Sequence, residues 1–225
     1  MLVDLHVHIK KRSRCAKCSH VEMAVKARDL GLDGIVLLDH HYYLEEKDLQ
    51  EAQEVSGIKI FRGIELSVKV KENAISGTAK GANDVVLISP VTPSFDTGDY
   101  HKPIQHTVLP EVIKFAKDNG GLTVLAHPFR RDMPVAIDPT GLDCVEIASK
   151  STNPNNRGRI LSLAEKYDLK CVSTSDAHRT RHLGNYCIDL NYDVDNEVDL
   201  ARAVKNGRFT LLERRLAPVL CCKRN

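Results

Sequence analysis

The chain has 225 residues, 28% of them charged, with a formal net charge of +2. That length suits one domain spanning residues 1–225 with a sizeable core, and so balanced a charge gives no bulk electrostatic reason for a nucleic-acid or membrane partner. No apolar run approaches the ~20 residues of a membrane helix, and site-like residues from position 4 onward leave no room for a cleavable signal peptide. Seven scattered cysteines do not form a disulfide framework and point to a reducing compartment, so a cytoplasmic protein is expected. Cys15-Ala16-Lys17-Cys18 has the spacing of half a structural zinc site, but no second CxxC follows. Loop thiols are the default reading there.

The first predicted strand covers 2–6 (LVDLH). Alternation along a strand sends His6 and His8 to one face, with Leu5 and Val7 on the other. A helix follows over 19–30, opened by Ser19 with Glu22 three residues on, a capping-box pattern, and closed at Gly31. Next come a strand over 34–39, a helix over 45–55 and strands over 58–66 and 84–89. Residues 90–107, with three prolines and two histidines, form a long loop of the kind that covers substrates. A helix over 108–119 stops at Gly120-Gly121, followed by strands over 122–127 and 144–149, a helix over 155–167, strands over 170–175 and 186–190, and a helix over 196–206. The strands are nearly continuous apolar runs, as expected of parallel strands covered on both faces. Repeated strand-helix units imply an α/β domain, either a barrel or an open doubly wound sheet.

Metal-competent residues recur at the ends of these strands: His6 and His8, Asp39 with His40 and His41, Glu65, His127, and Asp176 with His178. In α/β folds that edge is where ligands bind. Imidazoles supplemented by carboxylates suit zinc, manganese or iron better than calcium or magnesium. Five of these histidines (His6, His8, His40, His127 and His178) with Glu65 and Asp176 already exceed the ligands of one tetrahedral ion, so two or three divalent ions are expected. Glu65 could bridge two of them, and a water between would be acidified toward hydroxide, fit to attack a phosphoester or an amide. The sequence contains no G-x-S-x-G elbow, no phosphate loop and no dinucleotide fingerprint.

Asp4-Leu5-His6-Val7-His8, Asp39-His40, Gly63-Ile64-Glu65, Ala126-His127-Pro128 and Ser175-Asp176-Ala177-His178, in that order, resemble the PHP (polymerase and histidinol phosphatase) superfamily. The resemblance spans residues 1 to about 190. It implies a distorted (βα)7 TIM-like barrel with phosphoesterase activity and up to three metal ions. By motif, His6, His8, Glu65 and Asp176 would hold one ion, Glu65 and His127 a second, and His40 and His178 a third. Glu65, Asp176 and His178 are then the candidate catalytic residues. Asp4 and Asp39 are read as holding the neighbouring imidazoles in place or, as readily, as hydrogen-bonding the strand ends. Arg130, after the AHPF segment, is the candidate for gripping a substrate phosphate.

The chain departs from the family pattern twice. A ligand for the third site is expected shortly after the HxH pair, where the sequence reads IKKRSRCAKCS; Arg14 cannot ligate, leaving Cys15 or Cys18. The histidine expected in the fourth strand is missing from ANDVVLISP, leaving Asp84, or His101 and His106 in the following loop, as substitutes. Lys10, Lys11, Arg12, Arg14, Arg179 and Arg181 would form a basic rim attracting a small anionic phosphorylated substrate. A nucleic-acid end is a less favoured partner. An amidohydrolase-like C–N hydrolase and a noncatalytic barrel with a partly lost metal site stand as alternatives.

Overall fold

The computed structural model describes residues 1–12, 14–69, 83–98 and 107–213. His101, His106 and the Cys221-Cys222 pair lie outside the described residues. The elements in chain order are β1 (Leu2–His8), α1 (His20–Asp29), β2 (Gly34–Leu38), α2 (Glu46–Ser56), β3 (Lys59–Lys69), β4 (Asn83–Ile88), β5 (Thr107–Val108), α3 (Leu109–Asp118), β6 (Leu122–Leu125), β7 (Cys144–Ala148), α4 (Arg157–Tyr167), β8 (Lys170–Ser173), β9 (Tyr186–Leu190), α5 (Glu197–Lys205) and β10 (Phe209–Glu213). Local rules set several ends. Ser19 accepts from the Glu22 N–H while the Glu22 carboxylate accepts from the Ser19 N–H, forming the expected capping box.

The strands form one sheet in the order β10-β9-β1-β2-β3-β4-β6-β7-β8, with β5 against β3. The segment after β8 returns to β1: Val7 bridges Ala177, the His8 N–H donates to the Ala177 carbonyl at 2.9 Å and the Ala177 N–H to the His6 carbonyl at 3.2 Å. The sheet is therefore curled into a nearly closed barrel. Its pairing is mixed, which corrects the all-parallel expectation. β4 runs antiparallel to both β3 and β6, and β9 antiparallel to β1 and β10. Apolar runs report coverage on both faces, and an antiparallel strand inside a covered barrel satisfies that as well as a parallel one.

Val3, Leu5, Val36, Leu38, Phe61, Val86, Val124 and Val172, drawn from six strands, share one buried cluster with Leu200, Ala203 and Val204 of α5. The opposite strand faces pack on helices, with Val7, Ile35 and Leu37 against α1 and α2 and with Ile64, Val85 and Leu125 against α3 and α4. Leu5 thus lies inside, against the simple alternation expected of β1. The register with β2 slips between Asp4 and Val7, and such an irregularity turns Leu5 inward while His6 and His8 still face the interior. β10 and the short β5 were not expected from the sequence. Among the described residues no helix is long and apolar enough to cross a membrane.

The turn between α3 and β6 is constrained by space. A Cβ on Gly121 would lie 2.7 Å from the Ile88 carbonyl oxygen, a backbone atom that cannot rotate away. Gly121→Ala is expected to destabilise the chain by about 1–3 kcal/mol, measured by urea unfolding.

Candidate metal centre

One end of the barrel gathers the strand-terminal polar residues. His6 and His8 close β1, Asp39 and His40 follow β2, Glu65 lies within β3, His127 follows β6 and Asp176 follows β8. His6, His8 and Glu65 are completely buried, and Asp176 and His127 nearly so. Glu65 is the hub. One carboxylate oxygen is 3.0 Å from His127 Nε2, and the other is 3.0 Å from both His8 Nε2 and His40 Nδ1. Asp176 Oδ1 lies 3.5 Å from His8 Nε2 and 3.3 Å from His178 Nδ1. The His8 ring centroid is 4.1 Å from that of His178 and 4.6 Å from that of His40.

Three overlapping groups result: His6, His8 and Asp176; Glu65, Asp84 and His127; and His8, Cys15, His40 and His178, the donor atoms of each group lying within 4.8 Å of one another. Asp84, named as an oxygen substitute, thus joins Glu65 and His127, with its other oxygen accepting from Ser67 Oγ at 2.6 Å. Cys18 is in none of these groups and packs on the α1–α2 side of the sheet.

The donor set fits divalent cations. Glu65 Oε2 and Asp176 Oδ1 are buried, close to imidazole nitrogens, and without an aligned hydrogen bond. Lone pairs that converge without donating to one another are the geometry of ligands around an ion. Charge points the same way. Burial opposes ionisation of Glu65, yet the surrounding imidazoles, His40 and His6 foremost, hold it well below the usual carboxylate range. Burial likewise disfavours a proton on His127, but contact with Glu65 raises it to about 9. His6 is also raised, against its burial, by Glu146 and Glu65. The buried carboxylates require positive charge, which these protons supply in the metal-free chain and divalent ions would supply in their place. His178, lowered to about 3 by burial and by His8, keeps its ring neutral for ligation.

Glu146 was missed by sequence reading. It is fully buried in β7, its Oε1 2.6 Å from His6 Nδ1 and 2.6 Å from Thr174 Oγ1, and its Oε2 accepts from the His127 N–H at 2.7 Å. It therefore fixes the tautomer and ring direction of His6 and anchors the backbone of His127. The signal was present as a lone carboxylate in the middle of the apolar CVEIAS strand. Of the two roles expected of Asp4 and Asp39, hydrogen bonding of the strand-end backbone is present: Asp4 accepts the N–H groups of His6 and Ser175, and Asp39 those of Arg12 and His40.

His127 and Asp176 have positive φ, 28° and 47°. For residues with a Cβ this conformation costs about 1–3 kcal/mol each, and it turns both side chains off their strand ends toward Glu65 and His8. The Phe129–Asp132 turn is strained in the same way. Buried Asn156 braces it, donating to the Phe129 carbonyl at 3.3 Å and to Asp132 at 3.0 Å, while Asn153 caps the short turn at Pro154. Exposed Arg130 and Arg131 line a cavity of about 250 Å³ together with Asp84 and His127. The loop carrying Lys10, Lys11 and Arg12 reaches the same face, since the Lys17 N–H donates to the His178 carbonyl at 3.1 Å. Lys11 is paired with Asp48 at 2.8 Å and Arg12 stacks on Tyr42.

Residues 154–209 match a family model described as PHP-associated. No curated protein matches the chain by sequence. Among solved structures, the chain is similar to a two-domain protein from Bacteroides vulgatus containing a predicted PHP-like metal-dependent phosphoesterase. Identity is 15% and the TM-score 0.66, over 96% of this chain and 65% of that one. A candidate metal-dependent phosphoesterase from Bifidobacterium adolescentis is 17% identical with a TM-score of 0.58, over 90% of this chain and 94% of that one. An amidohydrolase from Chromobacterium violaceum is also 17% identical, with a TM-score of 0.56 over 78% and 87% of the two chains. The family-model match covers residues 154–209 alone, and the likenesses to these solved structures show that the fold is shared with proteins described as PHP-like.

Two measurements bear on the supports of the site. Glu146→Ala is expected to weaken metal affinity about 10–100-fold, with Glu146→Gln milder because it keeps an acceptor for His6; chelator competition reads both. Burial pushes the Asp4 carboxyl up to about 7 from its ordinary 3.8. The unfolded chain releases that proton first, so Asp4 stabilises the fold at low pH and loses that contribution as pH rises toward about 7. In chelator, Asp4→Asn is therefore expected to gain Tm relative to the parent chain between about pH 5 and about pH 8. A constant Tm difference across that range would contradict a protonated, buried Asp4.

Proposed function

We propose that this chain is a metal-dependent phosphoesterase acting on a small phosphorylated substrate. The observation that carries the reading is the buried Glu65 carboxylate, shared by imidazoles from three strand ends and flanked by Asp176. His6, His8, Glu65 and Asp176 would hold one divalent ion, Glu65, Asp84 and His127 a second, with His40 and His178 serving a third; zinc, manganese and iron suit these donors. When bound, such ions acidify water and neutralise charge developing on a phosphoryl group.

The protein's own groups then do the positioning. Glu146 holds His6 and the His127 backbone, and the Ser151 hydroxyl donates to Asp176, so carboxylate and imidazole directions are set before substrate arrives. Arg130, which lines the cavity with His127, would take a phosphate by its guanidinium fork. The modest cavity and the net charge of +2 favour a small anion over a duplex. None of the five cysteines among the described residues is in a disulfide, in keeping with action in a reducing cytoplasm.

Asp176→Asn is expected to lose bound metal and to lower phosphoester turnover by about 100-fold or more. Full metal content with full turnover would overturn the reading, and turnover of an amide but of no phosphoester would move it to C–N hydrolysis. Arg130→Ala is expected to raise KM for a phosphomonoester about tenfold or more, with kcat changed less.

A further inference from the structure

The sequence lacks a histidine or aspartate where the third ion needs its remaining ligand, and the fold brings a different atom there. Cys15 lies with His8, His40 and His178, the four donor atoms all within 4.8 Å of one another. A cysteine near histidines is not by itself a site. The second observation is His8. Its side chain is completely inaccessible, its Nδ1 has no hydrogen-bond partner, and its ring centroid lies 4.6 Å from that of His40 and 4.1 Å from that of His178, so the unpartnered buried atom belongs to this same group.

The loop that carries Cys15 is also tied to both strand ends that present the other donors. The Arg12 N–H donates to Asp39, next to His40, at 2.7 Å, and the Lys17 N–H to the His178 carbonyl at 3.1 Å. A third bond, from the Lys10 N–H to the Cys18 carbonyl at 2.7 Å, closes the loop on itself. Cys15 is half-buried, which admits an ion from solvent while limiting exposure of the thiol. His8 Nε2 faces Glu65 and Asp176, so His40, His178 and the Cys15 thiolate are the three protein donors particular to this position, the number of a catalytic rather than a structural zinc site.

Building on the metal centre proposed above, we propose that Cys15 is a metal ligand whose thiolate completes a sulfur-bearing site with His40 and His178. Binding displaces the thiol proton to solvent or buffer, and no oxidant or reductant is involved. A thiolate in the donor set selects zinc, ferrous iron or cobalt and disfavours magnesium and manganese at this position. The other two groups, built from imidazole and carboxylate alone, carry no such bias.

The test is cobalt(II) titration of the full chain after chelation and dialysis. A near-ultraviolet thiolate-to-cobalt charge-transfer band is expected, absent in Cys15→Ser and Cys15→Ala and retained in Cys18→Ser. The parent chain gives a second readout that needs no variant: zinc should slow alkylation of Cys15, followed by peptide mass spectrometry, by about tenfold or more. Cobalt bound without the band, or alkylation of Cys15 unaffected by bound zinc, would overturn the assignment of Cys15 and leave the phosphoesterase reading standing. A parent chain that binds neither cobalt nor zinc would overturn both.

Discussion

Everything at the barrel mouth depends on the carboxylate of Glu65 being ionised where water cannot reach it. Burying an unpaired carboxylate is prohibitively costly, so the structure must surround it with positive charge or with donors. It does so with His8, His40 and His127, each about one hydrogen-bond length away and each delivered from a different part of the sheet. Since the imidazoles sit where they cannot all be aligned hydrogen-bond donors, the balance is incomplete with protons alone. That incompleteness, visible in the orphaned oxygens of Glu65 and Asp176, is what makes the site a receptor for cations.

Delivering so many donors to one point sets demands on the backbone. The irregular register between β1 and β2 lets Leu5 enter the interior without turning His6 and His8 away from it. Left-handed φ values at His127 and Asp176 aim side chains that a continuing strand would send elsewhere. The antiparallel course of β4 carries Asp84 alongside Ser67 of β3 and so to the neighbourhood of Glu65 and His127. Strain of this kind is sustained because the surrounding packing and the Glu146, Asn156 and Ser151 hydrogen bonds over-determine the loops that bear it.

Much of this was legible in the chain. Among the described residues, the apolar runs gave the positions of eight of ten strands, helix periodicity and capping gave the five α-helices, and the recurrence of His, Asp and Glu at strand ends gave most of the cluster. What escaped had physical reasons. Strand direction leaves no trace in an apolar run that is covered on both sides, so β4 was read as parallel. Glu146 looked like one more strand residue because its importance lies in His6, 140 positions away in sequence.

The sequence by itself determined the α/β class, the chemistry of the donors and their order, because periodicity and residue type are local properties. Only the tertiary structure decided the grouping: that Glu65 is shared, that Asp84 stands with His127, and that Cys15 rather than Cys18 meets His40 and His178. Those are relations between segments far apart in the chain. They are fixed by barrel closure through the Val7–Ala177 bridge and by backbone turns at single residues, neither of which is written in any one stretch of sequence.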